Sequence, residues 1–152
     1  MDVLTPEQRH RNMSRIRGRD TKPEMLVRRG LHRQGLRFRL HVKALPGCPD
    51  LVFSGRKVVI FINGCFWHGH GCHLCKVPKT RTEFWTAKIA ANVARDIDSV
   101  LKLRELGWRV LTVWECALRG ALRMTEPELL SRAAAFVADE NAKGSTELPP
   151  MR

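Results

Sequence analysis

Val58-Val59-Ile60-Phe61-Ile62 is the apolar run around which the fold is organised. Unbroken apolar residues, most of them β-branched, are typical of a central strand covered on both faces. Apolar residues recur at helical spacing over residues 82–105, Gly107 ends that helix, and residues 108–114 form a second buried strand. A strand, a helix and a strand in this order need a crossover connection. The sequence therefore predicts a parallel strand pair in a mixed sheet.

The other elements are predicted from helix-start signals and from alternation. Three segments place Thr before a first turn that contains Pro, with Glu or Gln three residues after the Thr, which is a helix-start signature. They predict helices over residues 5–17, 21–34 and 125–139. Alternating apolar and basic residues predict a half-buried strand over residues 36–42, and residues 51–53 form a short strand. The fold class is therefore α/β, a mixed sheet flanked by helices.

The chain of 152 residues has the length of one domain. We predict a basic helical arm over residues 1–18, a single folded domain over residues 19–140 and a disordered tail over residues 141–152. The domain is expected to be monomeric.

The charge of the chain favours a polyanionic partner. Lys and Arg number 27 against 15 Asp and Glu, for a formal net charge of +12. Residues 1–40 hold 11 of the basic residues and 4 of the acidic ones. Such an excess indicates nucleic acid or another acidic surface. The sequence predicts no membrane span, since no apolar stretch approaches roughly eighteen residues, and the lack of an apolar signal segment predicts a cytoplasmic location.

Cysteine and histidine are concentrated in one loop. The five cysteines are an odd number, which argues against a disulfide framework. Between positions 65 and 75 the chain holds three Cys and three His among glycines, a composition that suits Zn²⁺ and that would take its rigidity from the metal. The local ligand set is Cys65, His70, Cys72 and Cys75. The long-range set replaces Cys75 with Cys116, and reduced core thiols are the third interpretation.

A carboxylate and a histidine are the candidates for chemistry. Pro49-Asp50 at a strand start, followed by a turn and a central strand, is the arrangement of the PD-(D/E)xK nucleases, whose carboxylates hold Mg²⁺. The acid and lysine of that motif are missing, because Ile62-Asn63-Gly64 stands in their place. His68 is then the candidate general base, with metal ligation or a surface role as the alternative. Glu24 could orient His68, although a capping-box residue needs no other role.

Four blocks of the sequence closely resemble the very-short-patch repair (Vsr) endonucleases. They are Leu45-Pro46-Gly47-x-Pro49-Asp50, Gly64-Cys65-Phe66-Trp67-His68-x-His70, Lys76-Val77-Pro78-x-Thr80-Arg81-Thr82-Glu83-Phe84-Trp85 and Gly107-Trp108-Arg109-Val110-Leu111-x-Val113-Trp114-Glu115-Cys116. The resemblance implies a restriction-endonuclease-like fold with a structural Zn²⁺. It also implies a Mg²⁺-dependent enzyme that nicks double-stranded DNA 5′ of the thymine in a T:G mismatch, the product of 5-methylcytosine deamination. Mismatch-repair proteins are candidate partners, and the nucleoid is the expected place of action.

The resemblance assigns chemical roles to individual positions. Asp50 corresponds to the Mg²⁺ carboxylate, and the backbone carbonyl of Ile62 corresponds to a second Mg²⁺ contact. His68 corresponds to the general base, and Glu24 to the residue that supports it. For Zn²⁺ the resemblance selects the long-range set: Cys65, His70, Cys72 and Cys116.

Six side chains are predicted to contact DNA: Met13, Phe66, Trp67, Lys79, Arg81 and Trp85. The three aromatic ones resemble a wedge pushed into the base stack beside the mismatch, and Met13 resembles a group inserted from the minor groove. A T:G wobble pair stacks weakly, so insertion of an apolar wedge costs least there.

The chain departs from the family pattern at three positions. Ile62 stands where Thr is common, Asn63 replaces a His that offers an acid near the leaving group, and Cys48 replaces an Arg. Two alternatives stand beside the mismatch endonuclease. A zinc-containing restriction-type nuclease would act on unmismatched DNA, which resists the aromatic wedge. A non-catalytic zinc-stabilised DNA-binding protein would need neither Asp50 nor His68.

Overall fold

A computed structural model of the protein describes residues 20–141 and 144–150, which contain a five-stranded sheet and three α-helices. The strands are β1 (Arg39–Leu40), β2 (Leu51–Phe53), β3 (Val58–Asn63), β4 (Arg109–Trp114) and β5 (Ser145–Leu148). The helices are α1 (Lys22–Arg33), α2 (Thr82–Glu105) and α3 (Glu126–Ala138). The predicted arm, its helix and Met13 lie outside the described residues. No described helix is long and apolar enough to cross a membrane.

The strands follow the chain in the order β1-β2-β3-β4-β5. β1, β2 and β3 pair antiparallel, and β4 pairs in parallel with both β3 and β5. The β3–β4 register runs from Val58 opposite Arg109 to Asn63 opposite Trp114, with α2 as the crossover. The predicted parallel pair and the mixed α/β fold are thus confirmed. Because β3 and β4 run in the same direction, the loop after β3 and the turn after β4 leave the sheet at the same end.

The two faces of the sheet carry different helices, and alternate strand residues serve each face. Val58 and Ile60 of β3 pack into the large core formed with α1 and α3. Val59, between them, packs with Leu103 of α2 on the opposite face. Both faces of β3 are therefore covered, as its unbroken apolar sequence predicts. On the face of the helix pair, α1 and α3 approach closely at Gly30, where a Cβ atom would overlap the side chain of Leu130.

The two predicted Thr helix starts that lie within the described residues form as predicted. The Thr21 hydroxyl accepts the backbone N–H of Glu24 at 3.4 Å, and the Thr125 hydroxyl accepts that of Glu128 at 3.3 Å. A Pro lies in the first turn of each helix. Local sequence therefore sets the beginnings of α1 and α3.

Two predicted segments differ in the structure. The strand predicted over residues 36–42 is reduced to β1, because His41 leaves the strand with a positive φ of 47°. The prediction of a disordered tail is wrong for residues 145–148, which form β5 beside β4. Leu148 is only 3% exposed and belongs to the large core, which accounts for the order of this strand. Three polar residues precede it, so the segment shows no apolar pattern in the sequence.

Candidate active site and metal centre

A cleft of about 1410 Å³ opens between α2, the ends of the parallel strands and the loop before β2. Its lining includes Asp50, His68 and Asp96, together with Asn63 at the end of β3 and Trp114 at the end of β4. Ligand sites in α/β proteins commonly lie beyond the carboxyl ends of parallel strands. The cleft therefore brings Asp50 and His68, two of the three candidate catalytic residues, to a favourable position in the fold.

Asp50 lines this cleft and lies immediately before β2 in the chain. Its Oδ2 atom accepts the backbone N–H of Ile62 on β3 at 2.7 Å. The pKa of Asp50 is raised to about 7, chiefly by burial; the Ile62 N–H and His41 lower this pKa, and the Glu24 carboxylate raises it. Because burial makes the ionised form of this carboxyl group unfavourable, a nearby cation would stabilise that form and bind favourably.

Glu24 contacts His41, which lies beside Asp50. Its carboxylate, 2% exposed, accepts His41 Nε2 at 3.0 and 3.1 Å and Arg28 Nη1 at 2.9 Å. His41 Nε2 also lies 3.9 Å from Asp50 Oδ1. Within the described residues the Glu24 carboxylate thus contacts His41 and Arg28, and its support of His68 stays a prediction. His41 was missed in the sequence because it occupies a basic position in an apparent strand alternation.

His68 is held by an acid from α2. Its Nδ1 atom lies 2.6 Å from Asp96 Oδ2, and its backbone N–H donates to Gly64 O at 3.2 Å within the loop. The carboxylate holds one ring nitrogen of His68, and both residues line the cleft. Asp96 was not predicted from the sequence. Its only signal is helical spacing, since Asn92, one turn earlier on α2, also faces the loop and donates to Trp67 O at 2.8 Å.

Four potential ligands for a metal ion converge beside the cleft: Cys65, His70, Cys72 and Cys116. Their ligand atoms all lie within 4.8 Å of one another. The loop after β3 and the turn after β4 leave the sheet at the same end, which brings Cys65 and Cys116 together across 51 positions of sequence. The Cys116 backbone N–H donates to Cys65 Sγ at 3.3 Å, and Cys116 Sγ lies 3.6 Å from His70 Nδ1. These are the members of the long-range set, and Cys75 lies outside the group.

The chemistry of this cluster fits a cation. Burial is the main factor that raises the pKa of the Cys65 thiol, and it raises that of Cys116 to about 11. Burial also lowers the pKa of His70, while the Glu147 carboxylate acts in the opposite direction. Without a cation these thiols stay protonated near neutral pH, whereas a bound metal would deprotonate them. Three thiols and one imidazole are a donor set that suits Zn²⁺.

Phe66, Trp67 and Trp85 form an aromatic cluster at the start of α2. Their ring centroids are 5.1 to 5.8 Å apart, and Phe84, 43% exposed, continues the cluster from Trp85 at 5.2 Å. Lys88 Nζ, which the sequence analysis did not single out, lies 5.8 to 5.9 Å from three of these rings. The predicted wedge residues are therefore together, partly exposed, and flanked by a cation.

The two basic residues predicted to contact DNA lie just before α2, and both are exposed. The Arg81 guanidinium lies 4.3 Å from the Phe84 ring centroid. The backbone carbonyl of Lys79 accepts the Thr82 hydroxyl at 3.0 Å, and Lys79 is exposed. Arg81 therefore adjoins the aromatic side chains at the start of α2.

Comparison with known proteins identifies the family. Residues 1–74 match the family described as DNA mismatch endonuclease Vsr. The DNA mismatch endonuclease Vsr of Escherichia coli (strain K12) is 47% identical over 146 residues, which cover 96% of this chain and 94% of that protein. The chain belongs to the Vsr family. It is therefore a DNA mismatch endonuclease, a hydrolase of DNA phosphodiester bonds, and its mixed sheet is consistent with the restriction-endonuclease-like fold.

Two nicking enzymes are also similar to this Vsr-family chain. Type II nicking enzyme V.XorIIP of Xanthomonas oryzae pv. oryzae is 51% identical over 117 residues, which cover 77% of this chain and 86% of that protein. Type II nicking enzyme V.NmeAIP of Neisseria meningitidis serogroup A is 45% identical over 118 residues, with coverage of 78% and 84%.

The positions where this Vsr-family chain departs from the family pattern line the cleft. Ile62 donates its N–H to Asp50, Asn63 is the last residue of β3, and Cys48 is exposed in the turn before Asp50 with a φ of 50°. These three residues therefore lie in the same cleft as Asp50. The contact from β3 to Asp50 is made by a backbone N–H, a group that every residue except proline carries.

Proposed function

We propose that this Vsr-family enzyme nicks duplex DNA on the 5′ side of the thymine in a T:G mismatch, by Mg²⁺-dependent hydrolysis of one phosphodiester bond. The observation that carries the proposal is the cleft itself, in which Asp50 and the His68–Asp96 pair stand together. Phe66 and Trp67 precede His68 directly in the same loop. If their rings enter the stack of DNA bases, the loop therefore also brings the His68 imidazole to the DNA. The relatives are bacterial, and we place the enzyme in the bacterial cytoplasm with the chromosome.

Asp50 and the Ile62 carbonyl are the proposed Mg²⁺ ligands. In an antiparallel pair, the N–H and C=O groups of one residue point toward the same neighbouring strand. Since the Ile62 N–H points at Asp50, the carbonyl of Ile62 faces the same side. Oxygen donors of this kind suit Mg²⁺, which would supply charge neutralisation at the scissile phosphate and a polarised water.

His68 is the proposed general base. Its Nδ1 atom lies 2.6 Å from Asp96 Oδ2, and in the tautomer that donates from Nδ1 to this carboxylate, Nε2 can take a proton from the attacking water. The Asp96 carboxylate then stabilises the imidazolium that forms. Attack by the water oxygen breaks the bond between phosphorus and the 3′ oxygen, and that oxygen takes a proton from solvent, which gives a 3′-hydroxyl and a 5′-phosphate.

Glu24 acts, in this proposal, on the charge around Asp50. It lies with His41 on one side of Asp50 and raises the pKa of that carboxyl. The Arg28 guanidinium, 2.9 Å from Glu24, keeps this buried acid paired. Glu24 and His41 thus set the electrostatic conditions under which Asp50 accepts a cation.

A single structural Zn²⁺ is proposed at Cys65, His70, Cys72 and Cys116. Cys116→Ala is expected to lose the metal and unfold the loop, because Cys116 is the ligand that ties the loop to the sheet. Cys75→Ala is the matched control and should keep one equivalent of Zn²⁺ per chain. Metal analysis of the purified variants checks both results, and the reverse pattern would move the site to the local set.

The aromatic cluster is proposed to recognise the mismatch by stacking. Trp67→Ala should weaken binding to a T:G duplex roughly 5- to 150-fold, since base–aromatic stacking is worth about 1–3 kcal/mol per base. Binding to the matched C:G duplex should change little, and Leu106→Ala, an exposed residue just beyond α2, serves as the control variant. Equal losses on both duplexes in a fluorescence anisotropy titration would assign Trp67 to general DNA binding.

The direct test of the proposed function is a nicking assay on two duplexes that differ only in one pair, T:G or C:G. We expect one nick, 5′ of the thymine, in the T:G duplex with Mg²⁺ and none with EDTA. Equal nicking of the C:G duplex would favour a restriction-type nuclease. Binding without cleavage at any Mg²⁺ concentration would favour a non-catalytic DNA-binding protein.

A further inference from the structure

Trp114, at the end of β4, lies against two histidines of the Cys- and His-rich loop. Its ring stacks on His70, with a centroid distance of 4.2 Å and an interplanar angle of 9°. It also meets His68 edge-on, at 6.4 Å and 69°. One of these histidines belongs to the Cys/His cluster and the other is the proposed base. The orientation of one indole ring therefore affects both sites.

The last strand of the sheet holds this indole in place. Trp114 Nε1 donates to Glu147 Oε1 at 3.2 Å. Trp114 is 8% exposed, and its N–H can only donate, so a buried ring of this kind needs an acceptor. Glu147 pairs in register with Thr112, which lies two residues before Trp114 and thus on the same sheet face. A carboxylate from a segment predicted to be disordered consequently enters the cleft.

We propose that Glu147 is a positioning residue of this enzyme: by accepting the Trp114 indole N–H, it fixes the plane of the ring on which His70 packs. The inference rests on the proposed function, because it takes His70 as a metal ligand. Groups that orient a ligand from outside the coordination shell tune metal affinity. Here the orienting group is a ring stacked on the imidazole, and Glu147 acts on it through a hydrogen bond.

We assign this role to the acceptor atom of Glu147; the negative charge of the carboxylate acts on His70 separately, by opposing the lowering of its pKa by burial. Glu147→Gln retains a side-chain oxygen that can accept the indole N–H, whereas Glu147→Ala removes it. Trp114→Phe keeps an aromatic ring beside His70 but removes the donor. The three substitutions therefore separate the hydrogen bond from the charge and from the stack.

The experiment loads the full chain with cobalt(II), whose absorption bands report the geometry of a thiolate and imidazole site. Affinity is measured by competition with a chelator. Glu147→Ala and Trp114→Phe are expected to weaken cobalt binding about 10-fold and to shift the visible bands. Glu147→Gln should restore both properties. Ser145→Ala, an exposed neighbour on the same face of β5, is the control and should match the parent.

Parental affinity and bands in both Glu147→Ala and Trp114→Phe would overturn the proposal. A Glu147→Gln protein as defective as Glu147→Ala would also overturn it, because charge would then be the active property. The Trp114→Phe arm keeps the test decisive if loss of Glu147 disturbs β5. None of these readouts uses DNA. A parent protein that binds cobalt as expected but fails to nick a T:G duplex would overturn the proposed function alone.

Discussion

Asp50→Asn is expected to abolish nicking while T:G binding is retained. Asn keeps an oxygen that can accept the Ile62 N–H, so the start of β2 should stay in place. It loses the negative charge that would hold Mg²⁺ at the scissile phosphate. Metal-ion catalysis contributes several kcal/mol, so the rate should fall roughly 10³-fold or more. Single-turnover nicking at saturating enzyme measures the rate, and anisotropy measures the binding.

Asp50→Asn, which is expected to abolish activity, is also expected to stabilise the metal-free protein. The folded-state pKa of Asp50 is raised from 3.8 to about 7, so the folded chain holds one more proton than the unfolded chain between these values. Stability consequently falls as pH rises through this window, and the cost is fully present above pH 7. Asp50→Asn, which cannot ionise, should raise the midpoint of thermal unfolding more at pH 8 than at pH 5.

A surface acid provides the control for this stability test. Asp98→Asn removes a carboxylate of α2 that is 60% exposed and paired with Lys102, so its effect should be small at both pH values. Equal unfolding midpoints for Asp50→Asn and the parent at pH 8 would show that the buried, ionised Asp50 carboxylate does not destabilise the folded protein. Near-normal nicking by Asp50→Asn would exclude it as the Mg²⁺ ligand.

The core elements could be predicted because their signals are local. The unbroken apolar β3, the Thr–Pro helix starts of α1 and α3, and the Gly that follows α2 each act through neighbouring residues. β5 could not be predicted in this way, because only Leu148 of its residues is buried and the strand depends on pairing with β4. Its existence is a consequence of the sheet and not of its own composition.

The candidate site was predictable to the extent that motifs are contiguous. Cys65, His68 and His70 stand in one short loop, so their proximity follows from the sequence. The partner of His68 does not, since Asp96 lies 28 positions later and reaches the loop only because α2 crosses the sheet. His41 enters through a positive φ that ends β1. The long-range contacts of the site and the backbone turn at His41 could therefore not be predicted from the sequence pattern.

His68→Ala is expected to slow nicking by roughly 10² to 10⁴-fold, the usual contribution of a general base. Zn²⁺ content should be unchanged, because His68 is outside the group of four converging ligands. Asp96→Ala should slow the reaction less, since the imidazole remains but loses the carboxylate that fixes Nδ1. His32→Ala, an exposed histidine on α1, controls for the loss of an imidazole elsewhere.

The double variant decides whether the two residues act as one unit. If Asp96 works only through His68, the His68→Ala/Asp96→Ala protein should be no slower than His68→Ala alone, because the positioned group is already gone. Additive losses would assign Asp96 a separate role in the cleft. Loss of Zn²⁺ in His68→Ala would place His68 among the metal ligands, and the base would then have to be sought at another cleft residue such as His41.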